Sequence, residues 1–293
     1  MLHPGMPLYL ANIGISILLG GLLWYARPLM SLQPSASQLA NPLAAQRTRI
    51  SGLLRNPAVL GVTRVIVAGI FLLLIYAGLF GTQIPEKNAA TIITWTLWWT
   101  LVVMSVFVVG SFWCAVCPWD TLASFLAKRK LWRRQRAPYS LELKTPPRLR
   151  NVTIAAILFA GLSWLELGYG VTLSPYTTAV LALIMVVLAT ASMVVFERKA
   201  FCQYFCPVGR TLGLYSQLSI AAIRPVNSDV CAKCTTLECY HGTDEIDPCP
   251  THLVMGTLKN NTYCISCANC IASCPHDNVA WAGKHPGYES MFA

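Results

Sequence analysis

The chain has 293 residues, of which 55% are hydrophobic and only 12% are charged, whereas soluble proteins usually carry about a quarter of charged residues. This composition excludes an ordinary soluble protein and indicates a membrane domain with a smaller soluble part. The formal net charge of +10 arises before residue 198, mostly in two loops beside apolar segments, so it indicates membrane topology and argues against a nucleic-acid partner.

Five apolar stretches are long enough to cross a bilayer, which requires about 20 residues. They are roughly Leu8–Tyr25, Val62–Phe80, Thr91–Trp113, Val152–Tyr169 and Thr177–Phe196. A cleaved signal peptide is the alternative for the first stretch. Because no basic residue precedes it and no small-x-small cleavage site follows it, we expect an uncleaved span.

Basic residues are concentrated in two of the connections between these stretches. Residues 27–60 hold four arginines and no acid, and residues 114–151 hold nine basic residues against two acids. The other two connections are short and carry almost no charge. Because basic loops stay on the cytoplasmic side, we expect the N-terminus outside and the C-terminal region inside.

Ten of the twelve cysteines lie after residue 198, on the side where disulfides rarely persist. Residues 264–275 have the C-x2-C-x2-C-x3-C-P spacing of bacterial 4Fe–4S ferredoxins. The alternative is a zinc knuckle, which usually shows two well-separated cysteine pairs. A looser run with the spacing C-x2-C-x4-C-x9-C-P precedes it at residues 231–250 and by itself would also suit zinc.

The two runs together favour iron–sulfur clusters, and the fourth cysteine of each run is expected to bind the other run's cluster, as in two-cluster ferredoxins. The first cluster is assigned to Cys231, Cys234, Cys239 and Cys274, and the second to Cys264, Cys267, Cys270 and Cys249. These eight cysteines complete both ligand sets, so we expect His241, between the third and fourth cysteines of the first run, to be a surface residue.

Two more cysteine pairs, each followed by proline, border predicted spans. Cys114 and Cys117 follow the third span, and Cys202 and Cys206 follow the fifth. Two spans separate the pairs, so both lie on one face of the membrane. They could form a third metal or iron–sulfur centre, act as thiol/disulfide pairs, or be inert buried residues. Their matched positions favour metal or redox ligation.

The sequence around the two pairs repeats. A phenylalanine precedes each pair, and Thr-Leu follows each Cys-Pro within a few residues, at residues 121–122 and 211–212. Each repeat continues into an apolar and basic segment, roughly Trp119–Trp132 and Val208–Ile223, which we expect to lie along the membrane interface.

Other residues narrow the range of cofactors. No histidine lies within a predicted span, which excludes a membrane-embedded bis-histidine haem, and no G-x-G-x-x-G motif supports a Rossmann-type dinucleotide site. Glu166 is the one acid inside a span. It could exchange a quinone's proton, or it could lie close enough to the outer surface to be wetted.

The paired Cys-Pro motifs, the membrane hairpins and the two cysteine runs resemble the membrane-bound polyferredoxin family that includes NapH, the C-terminal half of NosR, MauN and CcoG. The resemblance covers about residues 60–280. Family members commonly have C-x3-C-P at both membrane motifs, whereas the first motif of this chain is C-x2-C-P.

The resemblance implies electron transfer between a quinone pool or a cytosolic donor and a partner redox enzyme or its maturation machinery. We expect a multi-pass α-helical protein of the bacterial inner membrane, with about five transmembrane helices and a C-terminal domain with two 4Fe–4S clusters on the cytoplasmic side. The expected divisions are residues 1–60, the first span and basic loop; 61–207, two transmembrane hairpins; and 208–293, the ferredoxin-like domain.

In this interpretation the chain is an electron-transfer subunit of a quinol-dehydrogenase-like complex, in contact with lipid, redox partner proteins and quinone, and has no catalytic residues of its own. The alternative is an assembly factor that reduces a metal ion or a thiol for another enzyme. In that case Cys114, Cys117, Cys202 and Cys206 would be its working site.

Overall fold

The computed structural model describes residues 54–128 and 140–284, together with Ile13, Ser16, Ile17, Gly20, Pro286, Gly287 and Glu289. The predicted span Leu8–Tyr25 therefore lies outside the described residues, apart from four separate helical positions. The basic stretch as far as residue 53 lies outside them as well. The described part is mostly helical.

Four described helical stretches are long and apolar enough to cross a membrane, and they fit a membrane protein. They are Pro57–Phe80, Ala89–Ala127, Pro147–Leu167 and Pro175–Val195. Each overlaps one of the second to fifth predicted spans.

Within the described residues there are nine main helices, numbered here in chain order: α1 Pro57–Phe80, α2 Trp99–Val109, α3 Pro118–Lys128, α4 Thr153–Leu167, α5 Pro175–Val195, α6 Pro207–Tyr215, α7 Ser228–Ala232, α8 Glu238–His241 and α9 Asn269–Ser273. A helical turn, Ala89–Thr91, and π-helical turns, Ile92–Trp98, lead into α2, and further π-helical turns, Phe201–Phe205, precede α6. Short 3₁₀ turns occupy Pro85–Lys87, Gly110–Ala115, Pro147–Leu149, Val171–Leu173, Ser216–Leu218 and Met255–Thr257.

Helix α1 begins five residues before the predicted boundary at Val62. The Asn56 side chain accepts a hydrogen bond from the Ala58 N–H at 3.0 Å, and Pro57 occupies the first turn, where its missing N–H costs nothing. Near its other end, Gly78 lies so close to Pro175 and Ala179 of α5 that a Cβ would clash with both. The missing side chain therefore allows α1 and α5 to pack closely.

The chain reverses direction after α2. Gly110 has a φ of +59°, which an L side chain rarely adopts, so glycine permits the turn. The Trp98 ring contacts the rings of both Trp113 and Trp119, which shows that the chain folds back beside the helix it has just left.

Helix α3 corresponds to the predicted interfacial segment Trp119–Trp132, but it packs against α1 and α5. Ala123 and Ala127 on this helix are 0% and 1% exposed. The segment is therefore part of the helical bundle. Its small alanines allow this close packing, which the pattern of apolar and basic residues alone did not show.

The cysteine-rich region is closed by two antiparallel strands, β1 Ala221–Pro225 and β2 Val279–Gly283, which flank both cysteine runs in sequence. Ile223 pairs with Trp281, and both lie in a small core between the strands and α9. Trp281 also makes an edge-to-face contact with Phe112, which joins this core to the bundle. The other predicted interfacial segment, Val208–Ile223, therefore begins in a helix but ends in a strand.

Candidate functional site

None of the twelve cysteines, all of which lie within the described residues, forms a disulfide, and the structure gathers them into three groups of four. The outer thiol group consists of Cys231, Cys234, Cys239 and Cys274, which line one open cavity of about 370 Å³. Asn278 connects two members of this group, because its backbone N–H donates to the Cys274 sulfur and its side-chain amide donates to the Cys231 sulfur, each at 3.4 Å. All four cysteines are partly exposed.

The middle thiol group consists of Cys249, Cys264, Cys267 and Cys270, whose electrostatic interactions join them into one set. Cys264 and Cys270 are both 8% exposed. Burial, together with the neighbouring Cys249, raises the pKa of Cys267 to about 12. Such thiols become thiolates only when a cation is bound beside them.

The inner thiol group consists of Cys114, Cys117, Cys202 and Cys206, which lie at one hydrophobic core of the bundle. The two Cys-Pro motifs place Cys117 and Cys206 immediately before helices α3 and α6. The Gly209 N–H donates to the Cys206 sulfur at 3.3 Å, and the N–H groups of Trp119 and Asp120 face the Cys117 sulfur in the same way. The repeat seen in the sequence is thus a repeat of helix N-termini that favour bound negative charge.

Burial disfavours ionisation of Cys202 and Cys206, the two thiols of the inner group that follow α5. It raises the pKa of Cys206 to about 11, although the N–H groups of Gly209 and Val208 act in the opposite direction. It also raises the pKa of Cys202 well above the usual value, and the Asp120 carboxylate adds to this effect. Both thiols are therefore neutral unless a cationic group binds.

A buried ion pair adjoins the inner thiol group. Lys199 Nζ lies 2.5 Å from Asp120 Oδ2, and the two side chains are 16% and 6% exposed. The Cys202 sulfur is 3.9 Å from the other oxygen of Asp120, and a cavity of about 210 Å³ opens beside all three residues. Burial alone would lower the pKa of Lys199, but the Asp120 carboxylate outweighs it and raises the pKa.

Sequence reasoning missed this pair. Two signals were available. Asp120 lies two residues after the first Cys-Pro, in a loop that is mostly basic, and Lys199 lies three residues before Cys202. Neither signal identifies the other residue as its partner, because 79 positions separate them.

The three groups are arranged in series. Cys239 and Cys274 of the outer group pack against the core that contains Cys270 of the middle group. Cys267 of the middle group packs against the core that contains Cys114 and Cys206 of the inner group. The order therefore runs from the partly exposed surface, through a buried group, to the helical bundle.

Hydrogen bonds fix the middle group to the segment that carries Cys202. Arg198 Nη1 donates to the Cys249 carbonyl at 2.7 Å, and the Gln203 side chain donates to the Thr251 carbonyl at 2.9 Å. The Arg198 guanidinium also lies over the Tyr240 ring, 4.6 Å from its centre. This contact region holds the middle and inner groups in a fixed relation.

Glu166 is not brought together with any cysteine group. It lies in the last turn of α4, whereas Ile154 in the first turn packs against the core of the inner group. Twelve residues separate the two positions, about 18 Å along a helix. His241, as expected, is exposed.

The donor atoms of each group fit an iron–sulfur cluster. Within residues 54–128 and 140–284, no three His, Cys, Asp or Glu side chains lie close enough to hold one metal ion. A cluster requires a wider set, because each of its four thiolates binds a different iron. The four thiols of the outer group line one shared cavity and supply such a set, and the middle and inner groups each bring together the same number of interacting thiols.

Comparison with known proteins supports this chemistry. The family described as "4Fe-4S binding domain" matches residues 91–136 and 178–221. The two matched segments contain all four cysteines of the inner thiol group and end before the first ferredoxin-like run.

Three relatives are similar at low identity. The uncharacterized protein MJ0749 of Methanocaldococcus jannaschii is 25% identical over 65% of this chain and 70% of its own length. The uncharacterized protein MJ0750 of the same organism is 27% identical over 36% of this chain and 40% of its own length. The protein named "Putative electron transport protein YccM" of Escherichia coli is 28% identical over 66% of this chain and 56% of its own length. No solved structure matches the chain. The 4Fe–4S binding domain and the distant similarity to YccM together support an iron–sulfur electron-transfer family.

Proposed function

We propose that this protein is a membrane-anchored electron-transfer protein that conducts electrons along its three cysteine groups. The main support for the proposal is the serial arrangement of the groups, because each of two cores contains cysteines of one group and contacts cysteines of the neighbouring group. The match to a 4Fe–4S binding domain and the printed name of YccM support the same function.

The outer and middle groups would each hold one 4Fe–4S cluster. In this assignment Cys274 completes the set of the first run, with whose cysteines it lines one cavity, and Cys249 completes the set of the second run, with whose thiols it interacts. When bound, the clusters supply the one-electron chemistry. The chain's own residues orient the sulfurs, as Asn278 does in the outer group, and exclude water from the middle group.

The inner group would hold a third redox centre at the edge of the membrane. Its two helix N-termini, α3 and α6, face the sulfurs of Cys117 and Cys206 with backbone N–H groups. We place these groups on the cytoplasmic side of a bacterial inner membrane, on the evidence of the basic loops. The protein would then serve as one subunit of a respiratory or maturation complex and exchange electrons with a partner protein or with quinone.

Anaerobic analysis of iron and sulfide, combined with EPR on the purified protein, tests the proposal. We expect about twelve irons per chain if all three groups hold cubanes, and about eight if only the outer and middle groups do. The variants Cys231→Ser/Cys234→Ser and Cys202→Ser/Cys206→Ser should each remove one set of signals. Bound zinc without sulfide would overturn the electron-transfer function.

A second candidate function is an assembly factor that reduces a metal ion or a thiol at the inner group. The cavity beside Cys202, Asp120 and Lys199 favours it, because this space could admit a small ion. Replacing Cys114, Cys117, Cys202 and Cys206 with Ser distinguishes the functions. If the clusters of the outer and middle groups persist and electron flow continues while a partner enzyme lacks its metal, the assembly function is correct.

A further inference from the structure

Buried N–H donors without acceptors surround the inner thiol group. Among the described residues, seven buried side-chain polar atoms lack a hydrogen-bond partner, and four of them are N–H donors. These four belong to Trp98, Trp113, Trp119 and Arg210. The three indoles pack against the core of Cys114 and Cys206, and Arg210 interacts electrostatically with the same two cysteines. Buried donors are rarely left unpaired, so their concentration at one site indicates a bound group rich in acceptors.

The charges around the inner group lead to the same conclusion. Three positive charges lie near the inner group, on Arg64, Lys199 and Arg210. Among the described residues, Asp120 is the one carboxylate that interacts with the cysteines of this group. The Lys199 charge is offset by Asp120, and Arg64 donates to the Ala115 carbonyl at 2.7 Å. The site therefore has an excess of positive charge, which is costly to bury unless a negative group compensates it.

Arg210 is the least compensated of these cations. It is 8% exposed, and no carboxylate in the described part of the chain pairs with it. Its Nη1 donates to the Thr262 carbonyl at 2.8 Å, and its guanidinium lies over the Tyr263 ring, 4.0 Å from the centre. These contacts hold the guanidinium in place between the 262–263 segment and the cysteines and leave its Nε–H unpaired.

We propose that the inner thiol group holds an anionic iron–sulfur cluster and that Arg210 is the positioning residue that raises its reduction potential. The inference rests on the proposed function. With both clusters bound, one electron would pass between the middle and inner groups, oxidising one cluster and reducing the other, and no bond would be made or broken. Because the reduced cluster is more negative, the fixed guanidinium stabilises it more than the oxidised form. Arg210 would thus make the inner centre a better electron acceptor than it would be without the guanidinium.

The test compares Arg210→Met with Arg210→Lys in the full-length protein, purified without oxygen and titrated with reductant while EPR follows each centre. Arg148→Met is the matched control, because Arg148 is exposed. At a fixed solution potential, we expect Arg210→Met to raise the oxidised-to-reduced ratio of the inner centre at least tenfold. This change corresponds to a fall in its reduction potential of about 59 mV for one electron. The outer and middle centres should keep their potentials, and Arg210→Lys should retain most of the inner potential.

An unchanged inner potential in Arg210→Met would overturn the inference. If Arg210→Met loses the inner iron but Arg210→Lys retains it, the role of the charge is supported, whereas loss from both variants overturns it. A wild-type content of about eight irons would also overturn the inference and would leave electron transfer through the outer and middle clusters intact.

Discussion

Breaking the ion pair between Asp120 and Lys199 should destabilise the packing of α3 against the end of α5. In Asp120→Asn the Lys199 ammonium stays buried without a carboxylate. The two side chains are only 6% and 16% exposed, so solvent screens the pair weakly. Removing one member of a buried pair typically costs about 3–5 kcal/mol. The cavity beside the pair leaves room for water, so we expect a loss of about 3 kcal/mol in the free energy of unfolding.

The reverse change, Lys199→Met, leaves Asp120 unpaired next to Cys202 and should cost a similar amount. The double variant Asp120→Asn/Lys199→Met removes both charges, so its loss should be smaller than the sum of the two single losses by about 2 kcal/mol. Denaturant unfolding in detergent, followed by tryptophan fluorescence, measures all three losses, since Trp98, Trp113 and Trp119 lie in the same core.

Asp277→Asn is the control substitution, because Asp277 forms an ion pair with Arg55 in which both side chains are about half exposed. Exposed pairs contribute less than about 1 kcal/mol, so this variant should unfold almost as the wild type does. Strictly additive losses in the double variant would refute the reasoning, since they would show that the two charges do not stabilise each other in the folded protein.

Three other changes test different parts of the structure. Gly213→Ala places a Cβ against the Thr262 carbonyl, so thermal unfolding should show a loss of about 1–3 kcal/mol, whereas Gly69→Ala, whose Cβ meets nothing within 4 Å, should cause none. Glu166→Gln should leave iron content and all cluster potentials unchanged, because Glu166 lies far along α4 from the cysteines, and any shift seen by EPR would contradict this. Removing the clusters with a chelator should expose residues 227–284 to protease while α1 and α5 stay protected, because α7, α8 and α9 have only four or five residues each.

The sequence predicted the parts of this structure that depend on local pattern. Apolar length located three of the four described spans to within a few residues, at α1, α4 and α5, because hydrophobic runs are local signals. The rule that ferredoxin runs exchange their fourth cysteine assigns Cys249 and Cys274 each to the other run's cluster, and in the structure each lies near the first three cysteines of that run. Whether those groups bind clusters remains a prediction.

The features that the sequence did not predict depend on contacts between distant residues. In the sequence, Gly110 is an ordinary glycine in an apolar run, and only its φ of +59° in the structure marks it as the site of a turn. The pairing of Asp120 with Lys199, and of Arg210 with the 262–263 segment, joins positions that no periodic pattern relates. The packing of α3 inside the bundle is of the same kind, because it depends on where α1 and α5 lie.

The division of the inner thiol group between two Cys-Pro motifs has a consequence for biosynthesis. Cys202 follows Cys117 by 85 positions (202 minus 117), and α4 and α5 lie between them. At about 5–20 residues per second, the first pair of thiols leaves the ribosome roughly 4–17 seconds before the second pair. During that interval the nascent chain holds half of a ligand set and must keep it reduced. Insertion of α4 and α5 therefore has to precede loading of the inner centre, whatever the order in which the outer and middle groups receive their iron.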